Sequence, residues 1–198
     1  MTEPHDSDRI DTSGAAWIAP TAQLFGHVAI GENSSVWHNA VLRAECAEIR
    51  VGRMSNLQDF VMVHVGYDHP TVIGDFCSVT HHATVHGATI EDDCLIGVHA
   101  TLMDGVVVGR GSIVAGGAVL KEGSEFPPGS IIAGVPAKVV RERDSSRANR
   151  LNAWQYRRNA EFYAHGRHDA WRGEDYRRWL TEMTAAIESD RDLEGFPR

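Results

Sequence analysis

The sequence predicts an all-β left-handed parallel β-helix of about six coils, with C-terminal α-helices packed alongside. Three observations predict it: an aliphatic residue at every sixth position, a small residue four places after each, and an abrupt end to both patterns near residue 142. Amphipathic helices and half-buried strands repeat about every 3.6 and 2 residues, so neither holds such a register. A six-residue beat belongs to a solenoid, in which each coil is buried by its neighbours. Three hexads make one triangular coil, and this repeat is the mark of the left-handed form, an exception to the right-handed crossover rule.

The first segment, 1–14 (MTEPHDSDRIDTSG), is polar and expected to be loose. The prism then occupies 15–142. Its beat runs Ile18, Leu24, Ile30, Val36, Leu42, slips by three, and resumes at Val51, Leu57, Val63. After a four-residue insertion come Ile73, Val79 and Val85. One residue is dropped before Ile90, Ile96, Leu102, Val108, Val114 and Leu120, and the loop EGSEFPPGS leads to closure at Ile131. The small fifth places include Cys46, Cys77 and Cys94, which are expected to be small buried hydrophobes rather than nucleophiles. Second places are often glycine (Gly31, Gly52, Gly74, Gly97, Gly109), as suits a tight corner.

After GVPAKVVRE the beat stops, and 143–190 is expected to be helical. Asp144 or Ser145 can cap a helix carrying Leu151, Trp154 and Phe162, with Gly166 as its stop. A second helix over 168–188 places Trp179, Leu180, Met183 and Ile187 on one face, and these aromatics are expected to pack on the prism. The tail 191–198, ending EGFPR, is expected to fray.

The chain is acidic, with 19 Lys/Arg against 27 Asp/Glu. Residues 1–140 hold seven cations against sixteen anions, which excludes the basic stripe that a nucleic-acid surface needs. No apolar run approaches the ~20 residues of a membrane span, and no apolar signal core follows Met1. Three cysteines without CxxC spacing suggest neither a disulfide framework nor a thiolate zinc site. A cytoplasmic location is the expectation.

The stretch VTHHATVHG and the upstream His64 concentrate histidines in the middle coils. His64 follows the beat Val63 and His86 follows Val85, so both stand at second places on one edge, one coil apart. Neighbouring strands lie about 4.8 Å apart, which suits two imidazoles converging on one metal ion. His81, at a third place one face earlier, points outward and suits an ion held by an adjacent subunit. Three prisms around a threefold axis would then form three sites, each with two histidines from one chain and one from the next. His82 is the rival third ligand. The competing reading is surface decoration, which fits His5, His27, His165 and His168.

LRAECAEIRVG, NLQDFVMVHV, VTHHATVHG and the closing GVPAKVV resemble the γ-class carbonic anhydrases and their relatives over residues 15–142. That resemblance implies a homotrimer binding Zn2+, with Fe2+ or Co2+ as substitutes, through His64, His81 and His86. It matches Gln58 and Asp59 to the family's Gln-Asp pair and Arg43 to its arginine. Glu45 stands where the family commonly has Asp, and the long acidic proton-shuttle loop is missing, VGYDHPT being too short for it.

The implied reaction is hydration of CO2 to bicarbonate by a zinc-bound hydroxide, since three neutral imidazoles leave one position for water and lower its pKa to ~7. Gln58 would orient the hydroxide, Arg43 would meet the anion, and Asp59 and Glu45 would hold Arg43. Asp68 and His69 are the candidate proton carriers. A metal-dependent acyl-CoA thioesterase on the same site is the alternative. A hexapeptide acyltransferase without metal and a non-catalytic scaffold are the others.

Overall fold

The computed structural model describes residues 9–193. His5 and the tail Glu194–Arg198 therefore lie outside the described residues. Of the segment expected to be loose, Ile10–Asp11 pairs in parallel with Val28 and Ala29, extending the sheet.

The body is a three-faced parallel β-helix of very short strands. One face stacks Trp17–Ile18, Ser35–Val36, Asn56–Leu57, Ser78–Val79, Leu95–Ile96, Ile113–Val114 and Ser130–Gly134, and the antiparallel Ala137–Glu142 closes it. The second face stacks the start of Gln23–Ile30, the start of Val41–Val51, Met62–His64, Thr84–His86, Thr101–Leu102 and Val119–Leu120. The third continues those two long strands and adds Thr71–Ile73, Thr89–Ile90, Val107–Val108 and Glu125–Phe126. Because the long strands bend round a corner, the second and third faces join in one 11-stranded sheet.

The beat residues are the core. From Ile30 to Leu120 every one is buried, most with no exposed surface, because each sits between the equivalent residues of the coils above and below. At the end of the prism the beat continues where the sequence reading placed a loop and a restart. Phe126 and Ile132 turn inward, while Ile131 is only half-buried, so the hexads never break after Leu120. An aromatic at Phe126 in front of two prolines disguises that regular coil.

Two further expectations need correction. Cys77 and Cys94 are fully buried, but Cys46 is exposed. The three extra residues after Leu42 push it out, and Ile49 takes the inward place opposite Val28. Second-place glycines are needed for close stacking rather than for turn conformation. A Cβ on Gly31 would lie 2.5 Å from the Gly52 carbonyl carbon, and one on Gly52 would lie 2.6 Å from that of Gly74. The left-handed backbone falls two residues later, at fourth places such as Asn33, Met54, His82 and Asp93.

All departures from six residues share one corner, that between the second and third faces. Successive beats across it are Leu42 to Val51, Val63 to Ile73 and Val85 to Ile90, while the beats across the other two corners keep their spacing of six wherever the strands are stacked.

Two helices follow, α1 (Ser146–Ala164) and α2 (Gly173–Glu188). Asp144 starts α1, its Oδ1 accepting from the Ser146 amide and hydroxyl at 3.1 and 2.6 Å. Gly166, with φ of 69°, follows its end. The helix α1 lies on the prism through Trp154 and Ala153 against Met54 and Phe76, and through Tyr156 and Tyr163 against Trp37. Its polar anchor is Asp93, fully buried, which accepts from Arg150 at 2.8 and 2.9 Å and from Arg110 at 2.9 and 3.0 Å. The helix α2 packs on α1, with the Arg158 guanidinium over the Trp179 ring and Gln155 donating to the Tyr176 hydroxyl.

Candidate metal centre

The irregular corner carries the histidines. Arg43, His64 and His86 occupy directly paired positions on three successive coils. Strand stacking alone therefore lines up their side chains on one edge. His64 Nδ1 lies 2.9 Å from His86 Nε2, with the rings edge to face. Two nitrogen donors of a tetrahedral zinc with bonds of ~2.0–2.1 Å stand ~3.3 Å apart, so a small opening of this pair accommodates the ion. The donor set fits the metal.

The pair is embedded in a longer polar chain. Glu45 projects from the three-residue excursion after Leu42. Its Oε1 pairs with Arg43 Nη1 and its Oε2 lies 3.0 Å from His64 Nε2. Desolvation works against ionisation of Glu45, but hydrogen bonds from its own backbone, Arg43 and His64 outweigh it and hold the carboxyl below the usual range. At the other end His86 Nδ1 lies 2.5 Å from Asp104 Oδ1. Asp104 was not among the residues expected from the sequence. Register alone could have found it: Leu102 pairs with Val85, and two residues further on Asp104 stands on the edge of His64 and His86.

Gln58, Asp59 and His81 stand on a different edge, between the first and second faces. His81 Nδ1 is 3.1 Å from Asp59 Oδ2 on the preceding coil. Gln58 is buried, its Nε2 donating to Asn56 Oδ1 at 3.0 Å. The expected tie between Asp59 and Arg43 is absent from the described contacts within the chain: Asp59 holds His81, and Glu45 alone of the two carboxylates holds Arg43. His82, the rival ligand, is stacked between Phe60 and His99 with centroids 4.8 and 4.7 Å away.

Among the described residues, no group of three or more His, Cys, Asp or Glu converges within the single chain. His64 and His86 meet on one edge, and His81 stands on another. Asp68 and His69 are exposed on the inserted turn, which closes through backbone bonds between Gly66 and His69. The His69 ring leans over the Asp104 side of the site, near Gly105 and Gly87. No helix among the described residues is long and apolar enough to cross a membrane.

Residues 87–122 match the family described as bacterial transferase hexapeptide (six repeats). Over 133 residues the chain is 42% identical to the mitochondrial gamma carbonic anhydrase 1 of Arabidopsis thaliana, covering 64% of this chain and 48% of that one. It thus spans about half the length of such plant relatives. It is 40% identical over 141 residues to the "Probable carbonic anhydrase" of Methanocaldococcus jannaschii, covering 70% of this chain and 89% of that protein. Among solved structures, a hexapeptide transferase family protein from Anaplasma phagocytophilum superposes with a TM-score of 0.73 at 34% identity, covering 78% and 91% of the two chains.

Proposed function

We propose, since this chain belongs to the γ-class carbonic anhydrase-like family of hexapeptide-repeat proteins, that it is a metal-dependent carbonic anhydrase. Its site is shared between subunits of a homotrimer in the cytoplasm. His64 and His86 of one subunit and His81 of the next hold zinc, or ferrous iron or cobalt in its place. The observation that carries this reading is the 2.9 Å approach of His64 and His86 on paired strand positions. It is supported by His81 standing apart with its Nδ1 already engaged by Asp59.

A bound zinc supplies Lewis acidity, so that water yields a nucleophile near neutral pH. The chain's own residues do the rest. Glu45 keeps Arg43 at the rim of the site, where the guanidinium donors not used by Glu45 receive the bicarbonate product. Gln58, buried and fixed by Asn56, presents its amide from the His81 side to orient the attacking oxygen. His69 exchanges protons with solvent, standing in for the longer acidic loop of other family members.

Metal analysis of the purified trimer, followed by CO2 hydration measured beside a panel of acyl-CoA thioesters, tests the reading. Stoichiometric zinc, iron or cobalt with CO2 hydration abolished by chelation is the expected result. Thioester hydrolysis without CO2 hydration, or a stable monomer with full metal content, would overturn it.

A further inference from the structure

Asp104 makes a close polar contact with His86, yet nothing in the proposed reaction uses it. Its carboxylate approaches His86 Nδ1 to 2.5 Å from the next coil. Three features of the backbone make room for that approach. The step from Val85 to Ile90 is one residue short, so the turn at this corner carries fewer atoms. Gly87, with φ of 56°, forms the tightened turn, and a Cβ there would lie 2.2 Å from Asp104 Oδ1. A Cβ on Gly66 would lie 2.7 Å from the same oxygen. The carboxylate is therefore cradled over two bare Cα atoms, and side chains at either would displace it.

We infer that Asp104 is a positioning residue that fixes His86 with its proton on Nδ1 and its Nε2 lone pair directed at His64. An ionised carboxylate only accepts hydrogen bonds, so the imidazole must present N–H to it. The remaining nitrogen, Nε2, then carries the lone pair and faces His64 Nδ1 at 2.9 Å. His81 is held in the same sense, its Nδ1 facing Asp59 from the preceding coil. Two histidines on different edges thus turn the same nitrogen outward, each through a carboxylate one coil away. Carboxylate partners of this kind orient metal-bound imidazoles and make them better donors.

The metal consequence rests on the proposed function, while the orientation of His86 does not, and the test separates them. Ring 15N–1H correlation spectra of the metal-free full chain report which nitrogen of His86 is protonated. The expected state is Nδ1–H in the parent protein, lost or mixed in Asp104→Ala. Zinc affinity, measured by competition with a chromophoric chelator, is expected to fall about 10–100-fold in Asp104→Ala. Asp104→Asn, which keeps an acceptor oxygen and is the milder change, should fall between the two. A parent His86 protonated on Nε2 instead, or an unchanged tautomer and zinc affinity in Asp104→Ala, overturns the inference. The expected tautomer in a protein that binds no zinc would sustain the positioning of His86 and overturn the metal reading alone.

Discussion

If a site takes His64 and His86 from one chain and His81 from the next, lesions in different chains can complement. Consider an equal mixture of His81→Ala and His64→Ala subunits assembling at random in a closed head-to-tail ring. A site is intact when the chain giving His64 and His86 carries only the His81 lesion, and the chain giving His81 carries only the His64 lesion. Each condition holds for half the chains, so about one quarter of the sites recover. Neither variant alone has an intact site. A mixture of His64→Ala with His86→Ala supplies the control. Those two residues stand on paired strand positions of the same chain, so every site keeps a lesion and nothing recovers. Subunits would be mixed by co-expression with two affinity tags. Doubly tagged trimers, from which the two homogeneous species are removed, each hold one intact site in three, so bound metal and CO2 hydration by stopped flow are both expected near about one third of the parent. No recovery in verified mixed trimers, or equal recovery in the control, would refute the divided site.

Asp93→Ala takes from Arg150, almost wholly buried, the carboxylate that accepts from its Nε and Nη2 and leaves it Asp190 at 2.7 Å, and should cost up to about 3–5 kcal/mol in urea denaturation, with smaller loss in Asp93→Asn. A loss under about 1 kcal/mol would show that the Asp93 carboxylate is not what anchors α1. Arg43→Ala breaks a pair whose side chains are 43% and 49% exposed, so stability should change by at most ~1 kcal/mol while turnover falls clearly. Equal losses of trimer and turnover would make Arg43 structural instead. Burial, with Asp59 and Tyr163 adding to it, pushes the Tyr156 phenol up to about 12. A raised value stabilises the fold fully below the ordinary phenol range and is lost as pH climbs from 10.0 to about 12. Ultraviolet titration should show one late tyrosine that disappears in Tyr156→Phe.

The prism was legible because its inward positions admit so few residue types. A large and a small side chain every six residues leave a pattern that three changes of length could not hide. The last coil escaped because Phe126 is not aliphatic and the two prolines after it imitate a loop. Cys46 escaped because the three added residues were counted as a slip without asking which way they project. The alignment of His64 with His86 was legible from register, since paired strands carry position directly into space. Asp104 is not legible as a ligand by the same rule, because it touches a histidine rather than standing where a group could touch an ion. Within one chain, stacking sets His81 beside Asp59, a contact that follows from register and not from residue type.

The corner that gathers the length changes also sets what can be altered. Each strand there is gripped by the coils above and below, so residues added to the turn between Val63 and Ile73 need not shift either ladder. Doubling such a loop costs only about 0.6 kcal/mol in closure entropy. A segment spliced in between Tyr67 and His69 would hang directly over His64 and His86 while the prism beneath kept its register. The length and chemistry of that rim can therefore be rewritten by splicing at one turn, with no repacking of the interior.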